Sequence, residues 1–147
     1  MSKSIILNEN CRKSATKLLL VNWSRFSNVP IALEGSTLFT GVNGSGKSTV
    51  LDAMTYMLTG NTQFNKAALD RDRNVISYVR GDTKSEGKNR FIREGEVTSY
   101  IAMEFWAPLE KQYLVVGVCI EYVNETSNTK KWFVLEIRGL MIVDFIQ

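Results

Sequence analysis

Residues 41–48 have the sequence Gly-Val-Asn-Gly-Ser-Gly-Lys-Ser, which satisfies the pattern G-x-x-x-x-G-K-[ST] at every fixed position. Glycines at positions 41, 44 and 46 let the backbone turn through conformations that are closed to residues with side chains. The amides of such a turn point inward and form a nest that holds an anion. The stretch therefore predicts a loop that wraps around phosphate groups.

The sequence on both sides of this loop predicts the strand and the helix that a phosphate loop needs. A tight turn at residues 34–36 leads into residues 37–40 (TLFT), which predict a short buried strand. After the loop, apolar residues recur at helical spacing until Gly60-Asn61 ends the run (Val50, Leu51, Met54, Met57 and Leu58). A helix that begins near Lys47 adds its unpaired N–H groups and the positive end of its dipole to the anion site.

The motif assigns a role to the residues around the phosphates. Lys47 supplies a positive charge to the β- and γ-phosphate oxygens, and the Ser48 hydroxyl ligates Mg²⁺. Thr49 is a candidate partner of an α-phosphate oxygen. The predicted nucleotide-binding residues are Asn43, Gly44, Ser45, Gly46, Lys47, Ser48 and Thr49, with Ser48 as the metal ligand.

Composition excludes several other classes of protein. The 147 residues fit one domain, and 44% apolar with 22% charged residues is typical of a soluble globular chain rather than a disordered one. No run approaches the ~18 apolar residues of a membrane span, and we expect no secretory signal. Histidine is absent, and Cys11 and Cys119 lie far apart, which excludes a Ser-His-Asp triad and the usual zinc sites. We therefore expect a protein of the reducing cytoplasm.

Charge is unevenly distributed along the chain. The net charge of +3 combines a basic first part, residues 1–93, with an acidic remainder, residues 94–147. Basic residues are concentrated within residues 66–93, namely Lys66, Arg71, Arg73, Arg80, Lys84, Lys88, Arg90 and Arg93. This bias suits a polyanion, either nucleotide phosphates or a nucleic-acid backbone, although a solvated surface loop also explains it.

The remaining sequence predicts a mixed α/β fold with an antiparallel β meander at its end. A short helix is expected over residues 74–79, followed by a polar loop over residues 81–89. Turns are expected around Pro108 and over residues 124–129. The predicted strands outside the loop region are residues 17–23, 29–33, 97–106, 113–122 and 131–137.

Two groups of motifs resemble a known class of ATPase. The stretch GVNGSGKSTVLDAMTYMLTG, with the preceding KLLLVNWSRF, closely resembles the N-terminal head segment of SMC-like and SbcC-like ATPases. Further along, FNKAALDRDRNVISYVRGD and FIREGEVTSYIAMEFW look like the MukB-like large subunit of Wadjet-type condensins, which restrict plasmid DNA in bacteria. The resemblance covers about residues 17–138.

This resemblance implies a fold, ligands and partners. Residues 17–147 are expected to form the N-terminal lobe of an ABC-type head of the P-loop NTPase fold, after an N-terminal extension over residues 1–16. The implied ligands are ATP and Mg²⁺. The implied partners are a C-terminal head half with the signature and Walker B motifs, a second copy of the head, accessory condensin-type subunits and double-stranded DNA. Because the chain has no LSGGQ-like stretch and no heptad run, we expect it to bind ATP with very weak turnover on its own.

The same resemblance suggests a DNA-facing surface and leaves several residues open. The candidates for DNA contact are Arg73, Arg80, Lys84, Lys88, Arg90 and Arg93. Ser24-Arg25 is either a nucleotide contact or a plain surface turn. Asp52 could orient the Mg²⁺ shell, but a cap or a salt bridge is the preferred interpretation. The three tryptophans, Trp23, Trp106 and Trp132, are interpreted as core residues rather than as base-stacking platforms.

Two other functions compete with this interpretation. Residues 140–143 followed by Asp144 formally match a Walker B strand, which favours a small stand-alone P-loop kinase or GTPase. An edge or core strand without a nucleotide role explains these residues equally well. Against an ABC-type site, Phe145 stands where that class has its catalytic glutamate, and Gln147 is only a candidate for its Mg²⁺- and water-sensing glutamine. The third possibility is a DNA-binding module without catalysis.

Overall fold

The computed structural model describes residues 11–64, 74–83 and 90–137. Its strands form one sheet in the order β2-β1-β3-β4-β5, and every neighbouring pair of strands is antiparallel. The elements are β1 (Ser14–Trp23), β2 (Phe26–Ala32), α1 (Lys47–Thr59), α2 (Val75–Arg80), β3 (Val97–Ala107), β4 (Gln112–Asn124) and β5 (Ser127–Ile137). The predicted meander is therefore confirmed as β3-β4-β5, and the phosphate loop leads directly into α1.

Alternation along the strands places the core on the helix-bearing face of the sheet. Leu18 and Leu20 of β1 are fully buried in the main core with residues of α1 and α2, whereas Leu19 belongs to a smaller apolar cluster with Ala102 and Val115. Successive side chains of a strand point to opposite faces, so this division follows from the period of two. The core that supports the phosphate loop thus lies between the sheet and the two helices.

Several element boundaries differ from the predicted ones by a few residues. β1 begins at Ser14, so the first strand includes three residues that the sequence assigned to the N-terminal extension. The turn between β4 and β5 is shorter than residues 124–129, because the Asn124 side chain accepts from the Thr126 and Ser127 amides at 3.0 and 2.9 Å and closes a tight reversal. Helix α2 begins after Asn74, whose side chain accepts from the Ser77 amide in a capping box.

Residues 37–40 do not form the short buried strand that the sequence predicted. They have no strand assignment, and Leu38 is 84% exposed. A strand is stable only when a neighbour satisfies its backbone groups, and no strand in the described part of the chain runs beside this segment. The prediction is wrong for these residues in this chain, although Phe39 is partly buried against the core.

Helix α1 buries a narrower face than its apolar pattern predicted. Val50, Ala53 and Met57 are buried against the sheet, but Leu51 and Leu58 are 52% and 54% exposed. The described residues cover only the sheet-facing side of this helix, so the leucines on its other side contact solvent. None of the helices in the described ranges is long and apolar enough to cross a membrane.

Candidate nucleotide-binding site

The loop at residues 41–46 adopts the glycine-dependent backbone that the motif predicts. Gly44 and Gly46 have φ values of 84° and 100°, in the left-handed region that favours glycine. The Ser45 amide donates to the Val42 carbonyl at 3.2 Å, which closes a turn inside the loop. Together these features carry the chain from the exposed segment before the loop into the first turn of α1.

Helix α1 begins immediately after the loop and presents its first amides there. Gly46 is the N-cap residue, and the first intrahelical bond runs from the Val50 amide to the Gly46 carbonyl at 3.0 Å. The amides of Lys47, Ser48 and Thr49 precede this bond, so they have no intrahelical acceptor. The first turn of α1 contains no acidic residue. Its geometry and charge are suited to an anion such as a phosphate group.

Lys47 contacts the loop that it is predicted to serve. Its ammonium group donates to the carbonyl oxygen of Gly41, to that of Val42 at 2.9 Å and to the Ser45 hydroxyl at 3.4 Å. These neutral acceptors are weaker partners for an ammonium group than anionic phosphate oxygens. Lys47 can therefore exchange them for phosphate when a nucleotide enters. Ser48 and Thr49 follow in the same turn and are partly exposed.

Phe26 of β2 supports the loop from the sheet side. A β-carbon added to Gly46 would lie 2.9 Å from the Phe26 ring, closer than carbon atoms approach in folded proteins. Glycine at position 46 is therefore required by contact as well as by backbone conformation. The motif predicted the glycine, but no local signal identified Phe26 as its neighbour.

Trp23 fixes the position of α1 on the sheet. Its ring is fully buried and lies between Tyr56 at 6.1 Å and Tyr78 at 4.6 Å, with both pairs close to parallel. Its indole N–H donates to the Thr49 carbonyl at 3.2 Å, so a strand residue holds the first turn of the helix. The prediction that Trp23 is a core residue is confirmed. The sequence did not predict the contact of Trp23 with α1. The available signal was that a buried indole N–H usually has a hydrogen-bond acceptor.

The other two tryptophans lie outside the buried core: the core prediction is wrong for Trp132, and Trp106 is only partly buried. Trp132 is 47% exposed, yet its indole N–H donates to the Met57 carbonyl in the last turn of α1 at 3.0 Å. Trp106 pairs with Tyr113 across neighbouring strands, with ring centroids 5.0 Å apart. Of these two, Trp132 therefore also contributes to holding the helix on the sheet.

Asp52 is buried on α1 and contacts α2. Its side chain accepts a hydrogen bond of 2.5 Å from the Tyr78 hydroxyl, and both residues are at most 6% exposed. The sequence suggested a cap, a salt bridge or a role in the Mg²⁺ shell, and it did not suggest this contact. Tyr56, on the same helix, has a pKa raised by burial.

Arg93 has a structural position that the charge pattern did not predict. Its guanidinium donates to the Asn22 side chain at 3.1 Å and to the carbonyls of Ser24, Val79 and Phe26 at 2.9 to 3.0 Å. Burial lowers its pKa from the ordinary arginine value. Arg93 thereby ties the β1–β2 turn to α2, and its donors point into the protein rather than toward a DNA surface.

The other predicted DNA-contacting residues that the structure describes are also engaged within the chain. Arg80 lies 3.6 Å above the Phe91 ring and pairs with Glu125 at 3.1 Å. Arg90 pairs with Asp82 at 3.1 Å and is about half exposed. Arg73, Lys84 and Lys88 lie outside the described residues. Asp144, Phe145 and Gln147, together with residues 140–143, also lie outside them.

The Ser24-Arg25 turn contributes its backbone to the fold. The Ser24 amide donates to the Tyr78 carbonyl at 2.6 Å, and the Ser24 carbonyl accepts from Arg93. Arg25 is exposed. Ser24 is therefore a structural link between the first hairpin and α2.

Comparison with known families agrees with this geometry. A family model for the P-loop containing region of AAA domains matches residues 15–71, which include β1, β2, the glycine loop and α1. No curated protein matches the chain. The chain therefore carries a P-loop NTPase-like region, and nucleotide binding is the function that this region indicates.

Proposed function

We propose that this chain binds Mg²⁺-ATP through residues 43–49 as the N-terminal lobe of an SMC-like ATPase head that acts on DNA in the cytoplasm. The observation that carries the proposal is the junction of the glycine loop with α1. There the Lys47 ammonium contacts the glycine loop, and the first amides of α1 have no intrahelical acceptor, which supports a phosphate site. The match of residues 15–71 to a P-loop containing region supports the nucleotide. The motifs that resemble SMC-like heads support the finer assignment.

Each loop residue has a task in this proposal. The amides of Gly44 and of residues 46–49 would donate to the β- and γ-phosphates, and Lys47 would neutralise their charge. The Ser48 hydroxyl would be a protein ligand of the Mg²⁺ ion, which would supply positive charge next to the phosphates. Trp23 and Phe26 hold the loop and the helix in the position where these donors converge.

The exposed apolar residues around the loop support an incomplete head. Leu38, in the segment before the loop, is 84% exposed, and Leu51 and Leu58 on the outer side of α1 are more than half exposed. We propose that a C-terminal head half supplies a strand beside residues 37–40 and covers these leucines. The same half would bring the signature and Walker B motifs, and a second head and accessory subunits would complete the ATPase.

Nucleotide binding is tested by calorimetric titration of the purified chain with Mg²⁺-ATP. We expect saturable binding that Lys47→Ala weakens by at least about tenfold, because the alanine cannot donate a charge-assisted hydrogen bond to phosphate. Ser48→Ala should weaken binding in Mg²⁺ and change it little in EDTA. Lys130→Ala, which removes an exposed lysine on β5, is the matched control and should bind as the wild type does.

Turnover distinguishes the proposal from its main alternative. The chain alone is expected to hydrolyse ATP negligibly. Robust hydrolysis or phosphoryl transfer that is lost in Asp144→Asn would overturn the proposal and favour a stand-alone kinase or GTPase. Binding that is unchanged by Lys47→Ala would overturn the nucleotide site itself.

A further inference from the structure

Helix α2 is anchored to the first hairpin of the sheet at its C-terminal end. The Ser24 amide donates to the Tyr78 carbonyl at 2.6 Å, and Arg93 donates to the Val79 and Ser24 carbonyls at 3.0 and 2.9 Å. At its other end, Asn74 and Ser77 cap the helix reciprocally. The capping box stabilises the helix itself, and the bonds at its C-terminal end hold α2 as a platform on the sheet.

Tyr78 reaches from this platform to the phosphate-loop helix. Its ring stacks on Trp23 with centroids 4.6 Å apart and an interplanar angle of 22°, which restricts the direction of its hydroxyl. The hydroxyl donates to the Asp52 carboxylate at 2.5 Å, and Tyr78 and Asp52 are only 5% and 6% exposed. A hydrogen bond between a hydroxyl and a carboxylate is stronger when water is excluded.

Asp52 lies one helical turn beyond Ser48, so whatever holds Asp52 also holds the start of α1. The Trp23 indole, which Tyr78 stacks on, holds the same part of the helix through the Thr49 carbonyl. Binding of phosphate by several amides at once requires that they stay within a fraction of an ångström of their positions. A displacement of α1 along the sheet would therefore reach the phosphate site directly.

We propose that Asp52 and Tyr78 are positioning residues for the phosphate loop: their hydrogen bond couples α2 to α1 and sets the nucleotide affinity of the site. The inference rests on the proposed function, since it concerns the same loop. Neither residue is proposed to contact the nucleotide.

The experiment compares Mg²⁺-ATP affinity in two tyrosine variants that each lose one hydroxyl. Tyr78→Phe keeps the ring that stacks on Trp23 and removes the donor to Asp52. Tyr122→Phe is the matched control, because Tyr122 is equally buried and its hydroxyl donates to the Glu125 carboxylate at 3.2 Å, away from α1. Affinity is measured at a temperature where near-UV circular dichroism shows every variant to be fully folded, so a lower melting temperature alone does not change it.

We expect Tyr78→Phe to weaken Mg²⁺-ATP binding about tenfold, which is the lower end of the effect of losing a hydrogen bond that supports a binding residue. Tyr122→Phe should change the affinity less than about twofold. Amide resonances of residues 46–49 should shift in Tyr78→Phe without nucleotide and stay in place in Tyr122→Phe. A purely structural role would lower the thermal stability of Tyr78→Phe and leave its affinity for Mg²⁺-ATP unchanged.

Asp52→Asn is the second variant. Whether it strengthens or weakens Mg²⁺-ATP binding discriminates between a role of the Asp52 charge and a role in positioning. If Asp52 acted only through its charge, its neutralisation would remove a repulsion from the bound phosphates and strengthen binding. Positioning predicts weaker binding instead, because the neutral amide oxygen of asparagine accepts from the Tyr78 hydroxyl less strongly than the carboxylate does. The inference is overturned if Tyr78→Phe keeps the wild-type affinity or if Asp52→Asn binds Mg²⁺-ATP more tightly. Neither result would overturn the nucleotide site itself, which Lys47→Ala tests separately. Absence of wild-type binding would overturn both proposals.

Discussion

At the scale of single residues, the phosphate loop depends on a glycine for two separable reasons. Gly46 has a φ of 100°, which side chains disfavour, and a β-carbon there would lie 2.9 Å from the Phe26 ring. Gly44 has a φ of 84° but open space where its β-carbon would stand. The motif in the sequence predicts both glycines and does not distinguish them. Only the fold, which brings β2 beneath the loop, adds a steric reason to one of them.

This difference predicts unequal costs for the two alanine substitutions. Gly44→Ala should lower the free energy of unfolding by about 1 kcal/mol, which is the cost of a side chain at positive φ. Gly46→Ala should lower it by about 2–3 kcal/mol, because the Phe26 ring must also move. Urea denaturation of the two variants measures both values. Combining Gly46→Ala with Phe26→Leu should recover part of the stability, and equal costs for the two glycines would contradict the contact.

At the scale of elements, period and turn chemistry predicted most of the structure. Alternation in β3, β4 and β5 and helical spacing in α1 are local signals, so these elements form close to the predicted ranges. The strand predicted over residues 37–40 does not form, because a strand requires a partner and no strand among the described residues lies beside this segment. The Trp23 bond to Thr49 was equally unpredictable, since it joins residues that only the completed fold brings together.

Arg93 connects several elements around the site, and this gives a test at the element scale. Its guanidinium group donates hydrogen bonds to acceptors on β1, β2, the turn between them and α2. Arg93→Lys should lower the free energy of unfolding by about 2–4 kcal/mol, because a single ammonium group cannot satisfy this spread of acceptors. Urea unfolding monitored by tryptophan fluorescence provides the measurement.

Arg90→Lys is the control for the loss of a guanidinium group as such. Arg90 pairs with Asp82 at an exposed site, and exposed pairs contribute little, so its replacement should change stability by less than about 0.5 kcal/mol. A value for Arg93→Lys within the same range would contradict the structural role and return Arg93 to the candidates for DNA contact.

At the scale of the whole molecule, charge and fold divide the chain differently. The basic part of the sequence, residues 1–93, includes both helices and the loop, while the acidic remainder contains the whole meander. Sequence alone suggested that the basic residues of 66–93 bind a polyanion, with a solvated surface loop as the alternative. The structure separates them, because Arg80 and Arg93 are engaged within the protein and Arg90 is paired. If the chain binds DNA, as we propose for an SMC-like head, we expect Arg73, Lys84 and Lys88 to contribute more than these three arginines, which already have partners within the chain.

DNA binding should therefore depend on Arg73, Lys84 and Lys88 rather than on net charge. Replacing these three residues with glutamine should reduce the slope of log affinity against log salt concentration by about three, close to one unit for each phosphate that the variant no longer neutralises. The matched control replaces Lys111, Lys130 and Lys131 of the acidic part with glutamine, which changes the net charge equally and should leave the slope unchanged. Fluorescence anisotropy with a labelled DNA duplex at several salt concentrations gives both slopes. Equal reductions would mean that only overall charge matters, and no binding by the wild-type chain would remove DNA from its direct partners.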